Sequence, residues 1–75
     1  MEKSDFTREA GKLIRKHRNR NRKTQAWLAE QVGMDEHHLS RVEGGQYDIS
    51  NYKYFKILKV LDVPADEINN LKEKM

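Results

Sequence analysis

With no cysteine anywhere in 75 residues, the chain has neither a disulfide framework nor a thiolate metal site to hold it together. Pro64 is its only proline, and Gly11, Gly33, Gly44 and Gly45 are its only glycines. That is too few turn formers for a many-stranded sheet. No apolar run approaches the roughly 20 residues needed to cross a bilayer, and the opening MEKSDFTREA carries no signal-peptide core. The expected setting is therefore cytoplasmic, without a membrane. What remains is a small all-α domain, expected to span residues 1–75 with a core over about 5–71. At this size packing buries only about two-thirds of the unfolded surface.

The net charge of +3 is modest but unevenly spread. Residues 1–34 carry nine Lys/Arg against four Asp/Glu, whereas residues 35–75 carry six against eight. Between Lys12 and Lys23 lie Lys12, Arg15, Lys16, Arg18, Arg20, Arg22 and Lys23, with His17 and no acid. Such a cluster suits a polyanion, because neutralising phosphates releases condensed counterions. It is also what a solvated helix C-terminus favours through its dipole. A basic amphipathic helix on an anionic membrane fits less well, since the cations spread around the helix end and the following turn.

Periodicity predicts five helices. The first runs from about Asp5 to Arg18, with Phe6, Ala10, Leu13, Ile14 and His17 forming one stripe and Ser4 as its cap. NRNRK then breaks the pattern. In TQAWLAEQVGMDEHHLSRVE, Thr24 to Glu43, two short helical patterns meet at Gly33. Thr24 is expected to cap one and Asp35 the other, each side-chain oxygen accepting an unpaired helix N–H. Leu28, Ala29 and Val32 face inward on the first of these, Leu39 and Val42 on the second, with Met34 in the turn. Gly44-Gly45 ends that helix with a left-handed cap. Ser50 caps a fourth helix carrying Tyr54, Ile57, Leu58 and Leu61, and Pro64 suits the start of a fifth, from about Ala65, with Ile68 and Leu71.

This arrangement leaves Glu36, His37, Ser40 and Arg41 outward on a short helix braced across another. That geometry delivers side chains to a DNA major groove. The residues Leu13-Ile14-Arg15, Arg18, Thr24-Gln25, Leu28-Ala29-Glu30, Val32-Gly33, Leu39-Ser40-Arg41-Val42-Glu43, Gly45, Ser50 and Leu61-Asp62-Val63 carry a resemblance. Over roughly Phe6 to Ile68 the chain resembles the lambda-repressor-like (Cro/repressor, Xre-type) helix-turn-helix domains. The resemblance implies a compact five-helix bundle that binds double-stranded DNA. By it, Glu36, His37, Ser40 and Arg41 match base-reading positions. Arg18, Lys23, Thr24, Gln25, Gln46 and Tyr47 match phosphate-facing ones, with Gln25 at a helix N-terminus that adds its own N–H groups. Arg18 and Glu43 match an ion pair that some members bury near the DNA backbone. Three residues depart from the pattern. Glu36 and Asp48 place acids where they repel phosphate, although Glu36 could accept from a cytosine amine, and Ile49 stands where the family often has proline.

Plainer readings sit beside these. Arg41 suits a guanine edge bidentately, or a neighbour such as Glu36 or Glu43 along its own helix. Trp27 is either a ring folded over aliphatic stems or an anchor for a protein partner. His37 and His38, beside Asp35 and Glu36, point about 100° apart on a helix and do not share an ion easily. His17 reads as a packed, hydrogen-bonded histidine. Ser40, His37 and Asp35 have no pocket or oxyanion hole and make no triad. Neither enzymatic activity nor a cofactor is expected. The sequence points to a dimeric transcriptional regulator. The alternative is a protein-interaction module of the same fold, antitoxin-like or regulator-binding, using Trp27.

Overall fold

In the computed structural model, which describes residues 5–72, five helices follow one another: α1 (Asp5–Arg20), α2 (Gln25–Val32), α3 (Glu36–Glu43), α4 (Asn51–Val60) and α5 (Ala65–Lys72). Ser4 and the side chain of Leu71 lie outside what is described. The inward stripes converge as their spacing predicts. Ile14, Leu28, Val32, Leu39 and Ile57 are essentially inaccessible, and Ala10, Ala29, Val42, Tyr54, Leu58, Leu61 and Val63 complete the core. Each fully buried aliphatic contributes about 1.5–3 kcal/mol. Phe6, Leu13, Met34, Ile49 and Ile68 close the margins.

Four helices end in the same way. Arg22, Gly33, Gly45 and Asp62 adopt left-handed φ values of 57°, 69°, 78° and 57°. Each donates its N–H back to a carbonyl three residues earlier, and the residue after it bonds one five residues earlier, as in Lys23 N to Arg18 O at 3.0 Å and Gln46 N to Arg41 O at 2.9 Å. This Schellman closure satisfies the last carbonyls of each helix. Glycine makes it cheap at Gly33 and Gly45, whereas Arg22 and Asp62 adopt it against the Cβ clash.

The helix starts are less uniform. The Thr24 hydroxyl accepts the Trp27 N–H at 3.0 Å and Ser50 accepts the Lys53 N–H at 3.3 Å. Asp35 holds the cap position of α3 with extended backbone, yet its side chain makes no capping bond. The expected Asp35 side-chain cap is absent, and only the ordinary first helical bond, Leu39 N to the Asp35 carbonyl at 3.0 Å, is made there. The exposed carboxylate is left to act through the helix dipole alone. Pro64 stands just before α5, which begins at Ala65 as its spacing predicts, and its carbonyl accepts from Glu67 N at 3.1 Å.

Long-range polar contacts fix the helices relative to one another. Lys53 of α4 donates to the carbonyls of Val32 and Gly33 at 3.2 and 2.8 Å, closing the C-terminus of α2. The buried His17 ring meets the Glu67 carboxylate at 3.0 Å, with Lys16 at 3.2 Å, tying α1 to α5. Those two hydrogen bonds, His17's first, hold the Glu67 carboxyl below its ordinary value.

Candidate nucleic-acid interface

α3 shows one face to the core through Leu39, Val42 and Glu43, and turns Glu36, His37, His38, Ser40 and Arg41 to solvent. With an inward stripe at 39, 42 and 43, periodicity turns His37, Ser40 and Arg41 away, and Glu36 is exposed as the first residue of the helix. The exposed basic end of α1 and its turn, Arg20, Arg22 and Lys23, belong to the segment that joins α1 to α2.

Beneath α3 lies a buried polar hub. Arg18 grips Glu43 through Nε at 2.7 Å and Nη2 at 2.9 Å, while its Nη1 donates to the Lys23 carbonyl at 2.8 Å. Gln25 Nε2 adds a bond to Glu43 Oε1 at 3.1 Å, and Arg15 Nε approaches the same oxygen at 3.5 Å. The Glu43 side chain has 0% of its surface exposed and that of Arg18 only 11%. Burial by itself would raise the Glu43 carboxyl, but hydrogen bonds from Arg18, then Gln25, and the Arg18 charge outweigh it, so the group titrates below 4.5. The Glu43 carboxylate thus ties α1 and the start of α2 to the end of α3, and Arg18 adds the α1–α2 turn.

This hub revises the assignment of Arg18 and constrains that of Gln25. Arg18, buried and with three nitrogens engaged, belongs to the scaffold rather than the phosphate-facing surface. Gln25 is half-buried with one amide N–H committed to Glu43, which aims the amide and leaves its second N–H for another acceptor. The Thr24 hydroxyl caps α2 while remaining exposed. The alternative of Arg41 pairing with Glu43 is excluded, because Glu43 is enclosed.

The loop after α3 was only partly anticipated. The Asp48 carboxylate, expected to face phosphate, accepts a hydrogen bond from the buried Thr7 hydroxyl on α1. Gln46 and Tyr47 are exposed beside α3. Tyr47 folds back onto that helix: Arg41 Cζ lies 5.7 Å from its ring centroid, Arg41 Nη1 is 3.4 Å from its hydroxyl, and the His38 ring lies 5.7 Å away. A cation over an exposed tyrosine ring is worth about 0.5–1 kcal/mol.

Trp27 is half-buried against the core margin, with Lys23 Nζ 4.7 Å above its ring. That matches the reading of a ring folded over its neighbours, and it shows the same Lys23 as a cover for the indole. Among the described residues no three His, Asp or Glu side chains are placed to hold a metal ion. No helix among them is long and apolar enough to cross a membrane.

The profile of the helix-turn-helix domain family matches residues 9–71. The chain belongs to that family. Its helix-turn-helix is α2 and α3, joined through left-handed Gly33. No curated protein matches the chain by sequence. Among solved structures, the restriction-modification controller protein C.AhdI from Aeromonas hydrophila is similar, at 28% identity over 84% of this chain and 94% of that one, with a TM-score of 0.72. A point mutant of the restriction-modification controller protein C.Esp1396I, at 22% identity, covers 95% of this chain and 91% of its own with a TM-score of 0.80. The C.Esp1396I tetramer in complex with its natural 35 base-pair operator, also at 22% identity, covers 95% of each chain with a TM-score of 0.78. The C.Esp1396I structures share the five-helix fold of this helix-turn-helix domain.

Proposed function

We propose that the chain binds double-stranded DNA sequence-specifically as a homodimeric transcriptional regulator of the controller type, inserting α3 into the major groove. The observation that carries this reading is the exposed Glu36, His37, Ser40 and Arg41 face of α3, held from beneath by the Arg18–Glu43 pair. A face that must meet base edges needs such support, because specificity depends on side chains held in register. In this reading Arg41 takes a guanine edge and Glu36 a cytosine amine. Gln25, Lys23, Thr24 and Gln46 stand near the backbone. One short helix reads few base pairs, so two copies related by a two-fold axis would place their α3 helices about 34 Å apart, one turn of DNA. The likeness to C.AhdI, and to a controller protein whose structure is a tetramer on its operator, supports this choice within the family.

The test is selection of bound duplexes from a random pool, followed by affinity measured against salt. A two-fold-related consensus and a steep fall in affinity with salt are expected. A flat salt response with no enriched sequence would overturn the proposal. If Trp27→Ala then abolished association with a protein, the interaction-module reading would take its place.

A further inference from the structure

We infer that Tyr47 is a positioning residue that holds Arg41 in its reading geometry before DNA arrives, so that it sets specificity without touching a base. This rests on the DNA-binding reading above. Tyr47 is 43% exposed, yet both α3 side chains on its flank contact its ring. Arg41 stacks over it at 5.7 Å with Nη1 3.4 Å from the hydroxyl, and His38, one turn earlier on α3, packs at 5.7 Å and 37°.

The loop is fixed on both sides of the tyrosine. On one side Gly45, at φ +78°, reverses the chain, and Gln46 N bonds Arg41 O at 2.9 Å. The reversal passes so close to α1 that a Cβ on Gly45 would lie 3.2 Å from the Arg8 Cα. On the other side Asp48 accepts from the Thr7 hydroxyl. Tyr47 therefore reaches α3 from an anchored loop. A free arginine loses much rotamer freedom on binding, and one already stacked loses less. The benefit falls on whatever Arg41 contacts, and so on one base pair rather than on the backbone.

The experiment compares wild type, Tyr47→Phe, Tyr47→Ala and Arg41→Ala on the selected duplex and its single-base variants, at two salt concentrations, with thermal melting as a fold control. Tyr47→Ala should reduce discrimination by about 2- to 10-fold at the base pair that Arg41→Ala erases. It should leave other positions and the salt slope unchanged. Tyr47→Phe, which keeps the ring, should retain discrimination. In the DNA-free protein the Arg41 Nε–Hε resonance should move in Tyr47→Ala and not in Tyr47→Phe. Should the alanine variant not fold, Tyr47→Leu keeps the apolar bulk while removing the π-face, and the same loss of discrimination is expected.

Equal loss on every sequence would make Tyr47 a backbone contact and overturn the inference. Unchanged discrimination in Tyr47→Ala would overturn it too. A wild type with no base preference would sink the DNA reading itself, before any Tyr47 variant is compared.

Discussion

Gly11 and Val42 meet main chain to main chain: a methyl group on the Gly11 Cα would come within 2.3 Å of the Val42 carbonyl oxygen and 2.8 Å of that of Glu43. The glycine sits inside α1, where alanine would favour the helix by about 1 kcal/mol. Here the backbone of α3 occupies the space a side chain would need. Gly11→Ala should therefore destabilise by about 2 kcal/mol or more despite its propensity gain, because neither contact atom is a flexible side chain. Urea unfolding measures this, and a stabilised variant would contradict the close approach of α1 and α3.

The Arg18–Glu43 pair governs how α3 is held, and its chemistry makes stability depend on partners rather than on charge as such. Removing either side chain alone should cost about 3–5 kcal/mol, since the other charge stays buried without compensation. Arg18→Met combined with Glu43→Leu should recover most of that loss. A double-mutant cycle with negligible coupling would show that the pair does not act as one.

Acid should undo the same pair. The carboxyls of Glu43 and Glu67 both titrate below 4.5 in the folded protein. Their contribution is fully present above the ordinary carboxylate value and is lost as pH falls through the depressed one. Melting temperature should drop in that window for wild type, and less steeply for Glu67→Gln. An equal drop in the variant would remove Glu67 from the account.

Tyr54 gives the opposite limb. Burial pushes its phenol from 10.0 to about 12, so the unfolded chain ionises first as pH rises. Stability associated with the neutral phenol is complete below pH 10 and is lost towards about 12. Tyr54→Phe should lack that part of the alkaline decline, as seen in the difference between the two melting profiles. Superimposable profiles would contradict the buried phenol.

Asp62 ends α4 at φ 57°. Asp62→Gly should stabilise by about 0.5–1 kcal/mol, the left-handed penalty less the added freedom of glycine in the unfolded chain. Destabilisation in denaturant would argue against this closure.

The sequence could disclose much of this because burial of Leu28, Leu39, Ile57 and their neighbours obeys a local period. Where the cause was not local, the sequence stayed mute. Arg22 and Asp62 end helices in left-handed geometry without the glycine that signals it, so α1 runs on to Arg20 instead of stopping at Arg18. Gly11 is a helical glycine whose reason lies in another helix, and an interior glycine was the one available hint. Asp48 finds its partner on Thr7, far away in sequence, and so does not stand as a free acid in the loop. At the site, the outward face of α3 followed from periodicity. The Arg18–Glu43 pair was legible through the family resemblance and is present, but the addition of Arg15 and Gln25 to the same carboxylate, and the stacking of Tyr47 on Arg41, are tertiary relationships with no repeating signature.

The central claim is that the outward face of α3 reads base edges, and the affinity of Arg41→Ala across the preferred duplex and its single-base variants tests it most directly. At constant salt the substitution should cost about 1–3 kcal/mol on the preferred site and flatten discrimination at one base pair, leaving the other positions as they were. A loss of the same size on every sequence, or no loss on any, would contradict the claim.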